Sequence, residues 1–430
     1  MKEALLHYLW KFRKLGANTL STPLVTTSGE IIAIINTGIH NHQSGPDFFS
    51  AQLRIGEQLW AGNVEIHIKS SDWYLHNHEN DAAYSNVILH VVWEEDCEVF
   101  NRSNQAIPTL TLKDRIDPAL LINYQKLLET KSYNFINCEK QFAEVDTIII
   151  NNWLERIYFE RLERKVIGVD RLLKVKKGDW EAVLFTMLAR NFGTVINADA
   201  FEELAEALPV KTIRKLTQSS GELEAVFFGL CGFLNETEHL DSQTQSWKEA
   251  YTYAKAKYNF KPALQHRIEF FKLRPPNFPT IRLSQLARLY EKNESLFSKI
   301  ISVSNRKEFH KLFNITTSEY WSTHYNFNKL HKKRVKKLTI SFIDLLLINT
   351  LLPLKFAYAR AKGITTEDDL LKLVRSIPSE KNTIVTGFQE LQNFKNDALH
   401  SQAFIEMKKN YCNKNRCLSC QIGNSILNKT

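Results

Sequence analysis

Cysteine is scarce in this chain, with six residues among 430. So few thiols in so long a chain do not build a disulfide framework, which excludes the small secreted scaffolds that depend on one. The sequence also lacks internal repeats and low-complexity segments. With 43% hydrophobic and 24% charged residues, the composition is typical of a folded soluble protein, and the length is sufficient for two or three domains.

Long uninterrupted hydrophobic runs are missing as well. His7, Lys11 and Arg13 interrupt the first apolar stretch, so it does not have the form of a signal peptide. The most apolar run, 338–354, contains Asp344, and an unpaired carboxylate near its middle costs a few kcal/mol in lipid. We therefore expect this run to be a buried core helix, and the protein to be cytoplasmic and without a membrane partner.

The charge is distributed unevenly. Residues 1–150 hold 12 Lys and Arg against 18 Asp and Glu, a net charge of −6. The remaining 44 basic and 29 acidic residues give 151–430 a net charge of +15. An acidic part that binds metal and a basic part that binds phosphates suit a protein acting on nucleic acid. A Lys-rich helical domain is equally often basic merely for solubility.

The hydrophobic period changes along the chain. In the first third, a helix near 2–14 precedes three predicted strands. These are 52–55, then 64–69, which alternates between apolar and polar residues, and 87–93, which is apolar enough to be buried. The run 31–35 is apolar on both faces, which is typical of a central strand buried between layers. From about residue 146 the period becomes 3.6. We predict an α+β protein, with an α/β domain at 1–145 and a larger, basic, all-α domain at 146–430.

The polar residues of one predicted hairpin suggest a chemistry. A Pro-Asp turn ending at Asp47 is followed by an alternating strand whose polar face carries Glu65, His67 and Lys69. Two carboxylates and a base can hold a divalent cation and orient a water molecule, as metal-assisted phosphodiester hydrolysis requires. Turn formers and a polar strand face also occur in ordinary hairpins, so a hairpin without function fits equally well.

These residues resemble the PD-(D/E)xK nuclease superfamily, whose core carries a Pro-Asp turn and then Glu-x-Lys on the next strand. The resemblance covers roughly residues 1–113 and implies a restriction-endonuclease-like domain. It implies that Asp47 and Glu65 hold Mg²⁺ or Mn²⁺. His67 occupies the position of the lysine, which Lys69, one pleat further on, could replace. Over its whole length the chain also resembles an uncharacterised family of bacterial proteins known as a domain of unknown function.

Histidines are concentrated in the same region. Six of the 13 histidines lie between residues 40 and 90: His40, His42, His67, His76, His78 and His90. Histidine is a common metal ligand and general base, so the clustering favours a functional role for the group. We expect His90, inside an apolar strand, to be a satisfied core histidine. The cluster supports an alternative, a zinc or di-metal hydrolase with His and Asp ligands, although no His-Glu-x-x-His motif is present.

Three cysteines near the C-terminus, Cys412, Cys417 and Cys420, have Cys-x4-Cys-x2-Cys spacing. This spacing is typical of metal sites but lacks one ligand. Our first choice for the fourth ligand is Cys138 and the second is His400. We predict a structural Zn²⁺ or [4Fe–4S] site that fastens the chain end to the segment joining the domains, with unbound thiols as the alternative. Some nucleases of the superfamily named above also close their core with an iron–sulfur cluster.

Basic residues outside the α/β domain complete the nucleic-acid hypothesis. Arg274 and Arg282 bracket a proline-stiffened loop that could present both guanidinium groups to phosphates, or could form a structural pair with carboxylates. A basic cluster precedes the apolar run: Lys332, Lys333, Arg334, Lys336 and Lys337. We expect divalent-metal-dependent cleavage of DNA, favoured over RNA, by an endonuclease or exonuclease. The alternatives are a non-catalytic nucleic-acid-binding protein on a decayed nuclease scaffold, since His67 replaces the lysine, and a structural interaction protein.

Overall fold

The computed structural model describes residues 2–15, 23–41, 43–128, 135–235, 241–260 and 264–429. The chain divides into two compact units. Unit 1 comprises Met1–Trp153, Gly387–Gln392 and Met407–Thr430, and unit 2 comprises Leu154–Thr386 and Asn393–Glu406. Unit 1 continues past the predicted boundary at residue 145 to Trp153, which lies inside the helix Thr147–Val175. The division also assigns the cysteine-rich tail to unit 1 instead of the helical domain.

Unit 1 is built on a seven-stranded mixed sheet. Its strands are Leu24–Val25 (β1), Ile31–Asn36 (β2), Ile39–His40 (β3), Phe48–Ile55 (β4), Gln58–Lys69 (β5), Val87–Glu94 (β6) and Thr109–Thr111 (β7). The spatial order is β1-β2-β4-β5-β6-β7, and β3 also pairs with β4. The pairs from β1 to β5 are antiparallel, whereas β6 runs parallel to β5 and β7 parallel to β6.

Three helices accompany the sheet: Glu3–Lys11 (α1), Asp72–Leu75 (α2) and Pro118–Leu128 (α3). Parallel neighbouring strands require a crossover connection. The connection between β5 and β6 consists of α2, of four residues, and a 3₁₀ turn at Ala82–Tyr84. The mixed sheet of unit 1 and the helices that follow it confirm the α+β class.

Side chains on the two faces of β5 enter different surroundings. Val64 and Ile66 are fully buried in the main core of unit 1, together with residues of α1 such as Leu5 and Leu9. Glu65 and His67 are also buried, but strand alternation directs them to the opposite face. A strand buried on both faces can therefore hold polar groups away from water, provided that those groups find partners.

The prediction that 31–35 is a central buried strand is wrong. The segment is a strand, β2, but its only neighbour on one side is the two-residue β1. Ile31 and Ile35 are 56% and 48% exposed, whereas Ile32 is buried. Hydrophobicity on both faces thus did not indicate burial on both faces, because the strand lies next to the edge of the sheet.

Unit 2 is mostly helical. Its helices are Thr147–Val175 (α4, which begins in unit 1), Trp180–Phe192 (α5), Ala198–Ala207 (α6), Val210–Leu216 (α7), Glu222–Leu230 (α8), Ser242–Tyr258 (α9), Pro279–Lys292 (α10), Leu296–Ser302 (α11), Arg306–Leu312 (α12), Ile340–Leu346 (α13), Leu352–Lys362 (α14) and Glu367–Arg375 (α15). A hairpin of His324–Asn326 (β8) and Lys329–Leu330 (β9) makes the all-α prediction incorrect in detail. The chain then passes through Thr383–Leu391 (α16) and Ala398–Asn410 (α17) to Gln421–Leu427 (α18) in unit 1.

The apolar run forms the core helix that the sequence predicted. Helices α13 and α14, joined by a π-helical turn, make one helical span from Ile340 to Lys362 that is long and apolar enough to cross a membrane. The most apolar 18 residues of this span are nevertheless 72% buried inside the protein. Asp344 has partners there: it pairs with Arg306 at 2.7 Å and with His310 at 2.9 Å. The carboxylate is tolerated in this span because Arg306 and His310 both reach it.

Candidate metal centre

Asp47 and Glu65 are held together by backbone hydrogen bonds. Asp47 lies in the turn before β4, and its N–H donates to Glu65 Oε2 at 3.1 Å. The Ile66 N–H on β5 donates in return to Asp47 Oδ2 at 3.0 Å. The Pro-Asp turn therefore brings the two carboxylates together, as the sequence predicted.

Three histidines gather beside the Glu65 carboxylate. Glu65 Oε1 lies 3.5 Å from His67 Nε2 and 3.3 Å from His78 Nε2. His67 Nε2 also lies 3.1 Å from His76 Nδ1. His67, on β5, and the two histidines that follow α2 offer one ligand atom each within 4.8 Å of one another. The histidine cluster, as we call His67, His76 and His78, can thus surround a single ion.

His90 supports the cluster from the neighbouring strand. The parallel register places it opposite Glu65, and its Nε2 lies 2.8 Å from His67 Nδ1. His90 is fully buried, and its own Nδ1 has no hydrogen-bond partner within the described part of the chain. The expectation of a satisfied core histidine is therefore wrong. Only Nε2 of His90 has a hydrogen-bond partner among the described residues, and that partner is His67.

Burial sets the protonation of these groups. It is the main cause that raises the pKa of Glu65 to about 7 and lowers the pKa of His67 to about 2. The neighbouring His90, His78 and His76 lower the pKa of His67 further. Burial and then His78 lower the pKa of His90 to about 3. His67 and His90 are consequently neutral at physiological pH, and a neutral imidazole is the form that binds metal.

Sequence reasoning missed two residues of α1. His7 Nε2 lies 3.2 Å from Asp47 Oδ2, and Glu3 lies one turn earlier on the same helix. Burial alone would lower the pKa of His7, but the nearby Asp47 carboxylate outweighs this effect, so the pKa is raised. Burial raises the pKa of Glu3, and the charge of Asp47 adds to the effect. The available signal was an i, i+4 polar pair in a helix that otherwise buries leucines.

Two histidines of the histidine-rich region, His40 and His42, lie before the Pro-Asp turn. The His40 ring stacks on Phe48 with centroids 4.7 Å apart and meets the His7 ring at 5.3 Å. It therefore reaches the edge of the group around Asp47. His42 lies outside the described residues.

Lys69 is the last residue of β5 and does not join the Glu65 side chain. Its side chain is 56% exposed, with Nζ 4.0 Å from Asp96 Oδ2. Its backbone N–H donates to Asp72 Oδ2 at 2.9 Å. Strand alternation placed Lys69 on the face of Glu65 and His67, but the strand ends there and the long side chain turns towards solvent.

The two predicted arginines of the proline-stiffened loop differ in their surroundings. Arg274 is exposed, but Arg282 on α10 is only 5% exposed. The Arg282 guanidinium donates to Gln285 Oε1 at 2.9 Å and to Asn277 Oδ1 at 2.6 Å, and it lies 3.6 Å above the Phe342 ring. These contacts make Arg282 a structural residue of unit 2, without a face free for phosphate.

The basic cluster before the apolar run is mostly exposed. Lys332, Lys333 and Arg334 are exposed, and Lys333 forms a 3.0 Å ion pair with Glu319. Lys336 is buried instead, and its ammonium donates to the carbonyls of Trp321 and His324. Phosphate binding by this cluster therefore depends on residues other than Lys336.

The cysteines of the tail meet Cys138. Cys138, Cys412, Cys417 and Cys420 line one small cavity of unit 1. The second choice for the fourth ligand, His400, instead bonds to Asp397 at 2.7 Å in unit 2. The structure thus brings Cys138 to the three cysteines of the tail.

The donor atoms around Glu65 define the ions that fit. Three imidazole nitrogens and a carboxylate oxygen suit Zn²⁺ and related transition-metal ions, whereas Mg²⁺ prefers oxygen ligands. The imidazole of His90 on the far side of His67 is the kind of group that orients a metal ligand. The residues present therefore fit a nitrogen-binding divalent ion better than the Mg²⁺ expected from the paired acids.

Comparison with known proteins gives a family without an activity. No curated protein and no solved structure matches the chain. The family model described as "Protein of unknown function (DUF2851)" matches residues 3–383. Because this match covers most of the chain, the protein belongs to the DUF2851 family.

Proposed function

We propose that this protein is a hydrolase of phosphodiester bonds that uses a transition-metal ion, Zn²⁺ in the first instance, bound by the histidine cluster and Glu65. One observation carries the proposal: the ligand atoms of His67, His76 and His78 lie within 4.8 Å of one another, beside a buried carboxylate. Of the three histidines only His67 is buried, since His78 is half-buried and His76 is exposed. An ion could therefore reach the cluster from solvent, and the Glu65 carboxylate would offset part of its charge.

The hydrogen bonds around His67 suit a metal ligand. With Nε2 directed towards the ion, Nδ1 carries the proton and donates to His90 Nε2, 2.8 Å away. This contact fixes the tautomer and the ring orientation of His67. A bound divalent ion would polarise a phosphoryl oxygen and lower the pKa of a water molecule.

Asp47 and Glu65 have separate roles in the proposal. Glu65 binds the ion, since its Oε1 is within 3.5 Å of two of the ligand histidines. Asp47 accepts the proton of the attacking water, because its Oδ2 is already positioned by the Ile66 N–H and by His7. A positioned carboxylate of this kind contributes roughly 10²–10⁴-fold to the rate of a proton transfer.

The phosphodiester substrate rests on two further features. The Pro-Asp turn and Glu65 resemble the motif of PD-(D/E)xK nucleases, and backbone hydrogen bonds join the two acids at one site. The net charge of +15 in residues 151–430 supports binding of a polyanion, DNA in the first instance.

A cleavage assay on end-labelled DNA and RNA tests the function. Metal-free full-length protein is supplied with Zn²⁺, Mn²⁺ or Mg²⁺, and wild type is compared with Asp47→Asn and His76→Ala. We expect cleavage with Zn²⁺ or Mn²⁺, loss of metal binding in His76→Ala, and retained metal binding with at least 100-fold slower cleavage in Asp47→Asn. The matched control is His266→Ala, which removes a histidine 59% exposed in unit 2.

The other outcomes each decide against a part of the proposal. Cleavage with Mg²⁺ alone, unaffected by His76→Ala, would favour the Asp47–Glu65 pair as an oxygen-only site. Tight DNA binding without cleavage under any metal would favour a non-catalytic nucleic-acid-binding protein. The exposed side chain of Lys69 and the histidine at position 67 support the same alternative, because they leave no lysine beside Glu65. If the protein neither binds nor cleaves nucleic acid, nucleic acid is excluded as the substrate. The metal centre is then tested by the metal content of the purified protein.

A further inference from the structure

We infer that Cys138, Cys412, Cys417 and Cys420 bind a polynuclear metal centre of the iron–sulfur type in unit 1. The four residues line one cavity, and all six cysteines of the chain are free of disulfides. The inference is independent of the proposed hydrolase, because this site and the histidine cluster have no residue in common.

The four thiols differ in depth. Cys417 and Cys420 are buried, and Cys138 and Cys412 are half-buried. Metals bind the thiolate form of cysteine, and a bound metal compensates the thiolate charge where water is scarce. The cavity therefore suits metal-bound thiolates.

The segment from Cys417 to Gly423 forms a tight turn that carries two of the thiols. The Cys420 N–H donates to the Cys417 carbonyl at 3.1 Å, and the Asn424 N–H donates to the Cys420 carbonyl at 2.8 Å. A Cβ at position 423 would lie 2.2 Å from the Cys417 oxygen, so the turn requires glycine. The two-residue gap and this turn let both thiols reach one centre.

Two contacts hold the tail against the segment that carries Cys138. The Asn137 amide donates to the Cys417 sulfur at 3.7 Å. Lys408 Nζ, at the end of α17, donates to the Phe135 carbonyl at 2.7 Å. The fourth ligand is thus brought to the tail by protein contacts alone, which is the preorganisation that a site with ligands distant in sequence needs.

The spacing of the sulfurs favours a cluster over a single zinc ion. A tetrahedral zinc site with Zn–S bonds near 2.3 Å places its sulfurs about 3.8 Å apart. Among the described residues, the histidine cluster is the only set of three or more His, Cys, Asp or Glu ligand atoms within 4.8 Å of one another. No three of the four sulfurs are therefore that close. In a [4Fe–4S] centre each thiolate binds a different iron atom, so wider separation is the normal geometry.

Analysis of the full-length protein purified without oxygen tests the inference. We expect about four iron atoms and four acid-labile sulfides per chain, together with a broad absorption band in the visible range. Cys138→Ser and Cys412→Ser should lose the iron, the sulfide and the band. Cys97→Ser removes a half-buried thiol outside the site and should keep the full iron content.

The measurement on wild type decides the question even if a cysteine variant fails to fold. One zinc per chain and no iron would overturn the cluster in favour of a mononuclear site. Iron-free and zinc-free protein whose four thiols all react with a thiol reagent after mild unfolding would overturn any metal at this site. Full iron in Cys138→Ser would exclude Cys138 as a ligand and contradict the four-cysteine centre.

Discussion

His90 shows how a single buried residue can act through another. Its Nε2 contacts His67 Nδ1 at 2.8 Å, on the side of the ring away from the proposed ion. We expect His90→Ala to weaken metal binding at the histidine cluster by about 10–100-fold, the usual effect of removing such a partner. The affinity is measured by competition with a chromophoric chelator.

His90→Gln separates positioning from packing in this prediction. Its amide oxygen can accept the hydrogen bond from His67 Nδ1, so we expect it to recover part of the affinity lost in His90→Ala. Equal affinity in wild type and both variants would show that His90 does not position His67. Circular dichroism on each variant provides the control for folding.

Glu224 links the stability of unit 2 to pH. It is buried on α8 and accepts hydrogen bonds from Ser318 Oγ and Trp321 Nε1, both at 3.0 Å. Burial is the main cause that raises its pKa from 4.5 to about 7. Between these pH values the folded state binds more protons than the unfolded state, so the free energy of unfolding decreases as the pH rises from 4.5 to 7.

The difference between wild type and Glu224→Gln isolates this effect. As the pH rises from 4.5 to 7, the free energy of unfolding of wild type should fall by about 3 kcal/mol relative to that of the variant. One pKa unit corresponds to about 1.4 kcal/mol. Urea unfolding at pH 5 and pH 8 measures the difference. Stability curves that run parallel in the two proteins would contradict the raised pKa.

At the residue scale, the sequence predicted the acids and the general position of the histidines but not their contacts. Asp47, Glu65 and His67 were found because strand period and turn chemistry are local. His7 was missed because its contact with Asp47 joins α1 to a turn 40 residues later. Arg282 was assigned to phosphate because its sequence does not reveal that Phe342 and Asn277 enclose it.

At the scale of helices, replacing two different glycines with alanine should change the stability of the protein in opposite directions. Gly168 lies within α4, where an added Cβ meets nothing within 4 Å. Gly229 lies within α8, where the same atom would be 2.1 Å from the Tyr251 ring. Gly168→Ala should therefore stabilise the protein by about 0.5–1 kcal/mol through helix propensity alone.

Gly229→Ala should instead destabilise the protein by about 1–3 kcal/mol, because it forces α8 and α9 apart. Thermal unfolding of the two variants beside wild type tests both signs in one experiment. A melting temperature raised by Gly229→Ala would mean that Tyr251 moves aside without cost. A lowered one for Gly168→Ala would mean that α4 has a neighbour at this position.

Among elements, those with strong periodic patterns were predicted well. The run 338–354 was predicted to be a core helix because a carboxylate, Asp344, is unfavourable in lipid. In the structure Arg306 and His310 pair with this carboxylate. β2 was misassigned as a central strand because sequence gives hydrophobicity and not position in the sheet. The hairpin of β8 and β9 was missed because strands of three and two residues are too short to show a period.

At the scale of the whole molecule, charge asymmetry predicts a salt-dependent affinity for nucleic acid. Lys332, Lys333 and Arg334 are exposed, and each phosphate contact contributes about 0.9 to the slope of log affinity against log salt for duplex DNA. Replacing all three with glutamine should reduce this slope by up to about 2.7. Lys336 is left intact, because it is buried and bonded to the Trp321 carbonyl.

The matched control changes the same charge elsewhere in residues 151–430. Lys211, Lys255 and Lys307 are exposed and far apart in sequence, and their replacement with glutamine should leave the slope nearly unchanged. Fluorescence anisotropy of labelled DNA between 50 and about 200 mM salt measures both proteins. Equal slopes in wild type and both triple variants would show that the basic cluster does not bind phosphate.

The most direct test of the metal centre is anomalous diffraction from crystals of the protein grown with Zn²⁺. The account predicts a peak at the zinc edge about 2.0–2.1 Å from a ring nitrogen of each of His67, His76 and His78, with the Glu65 carboxylate turned towards it. Zinc found only at the cysteines or on the surface, with the histidine cluster empty at saturating Zn²⁺, would contradict it.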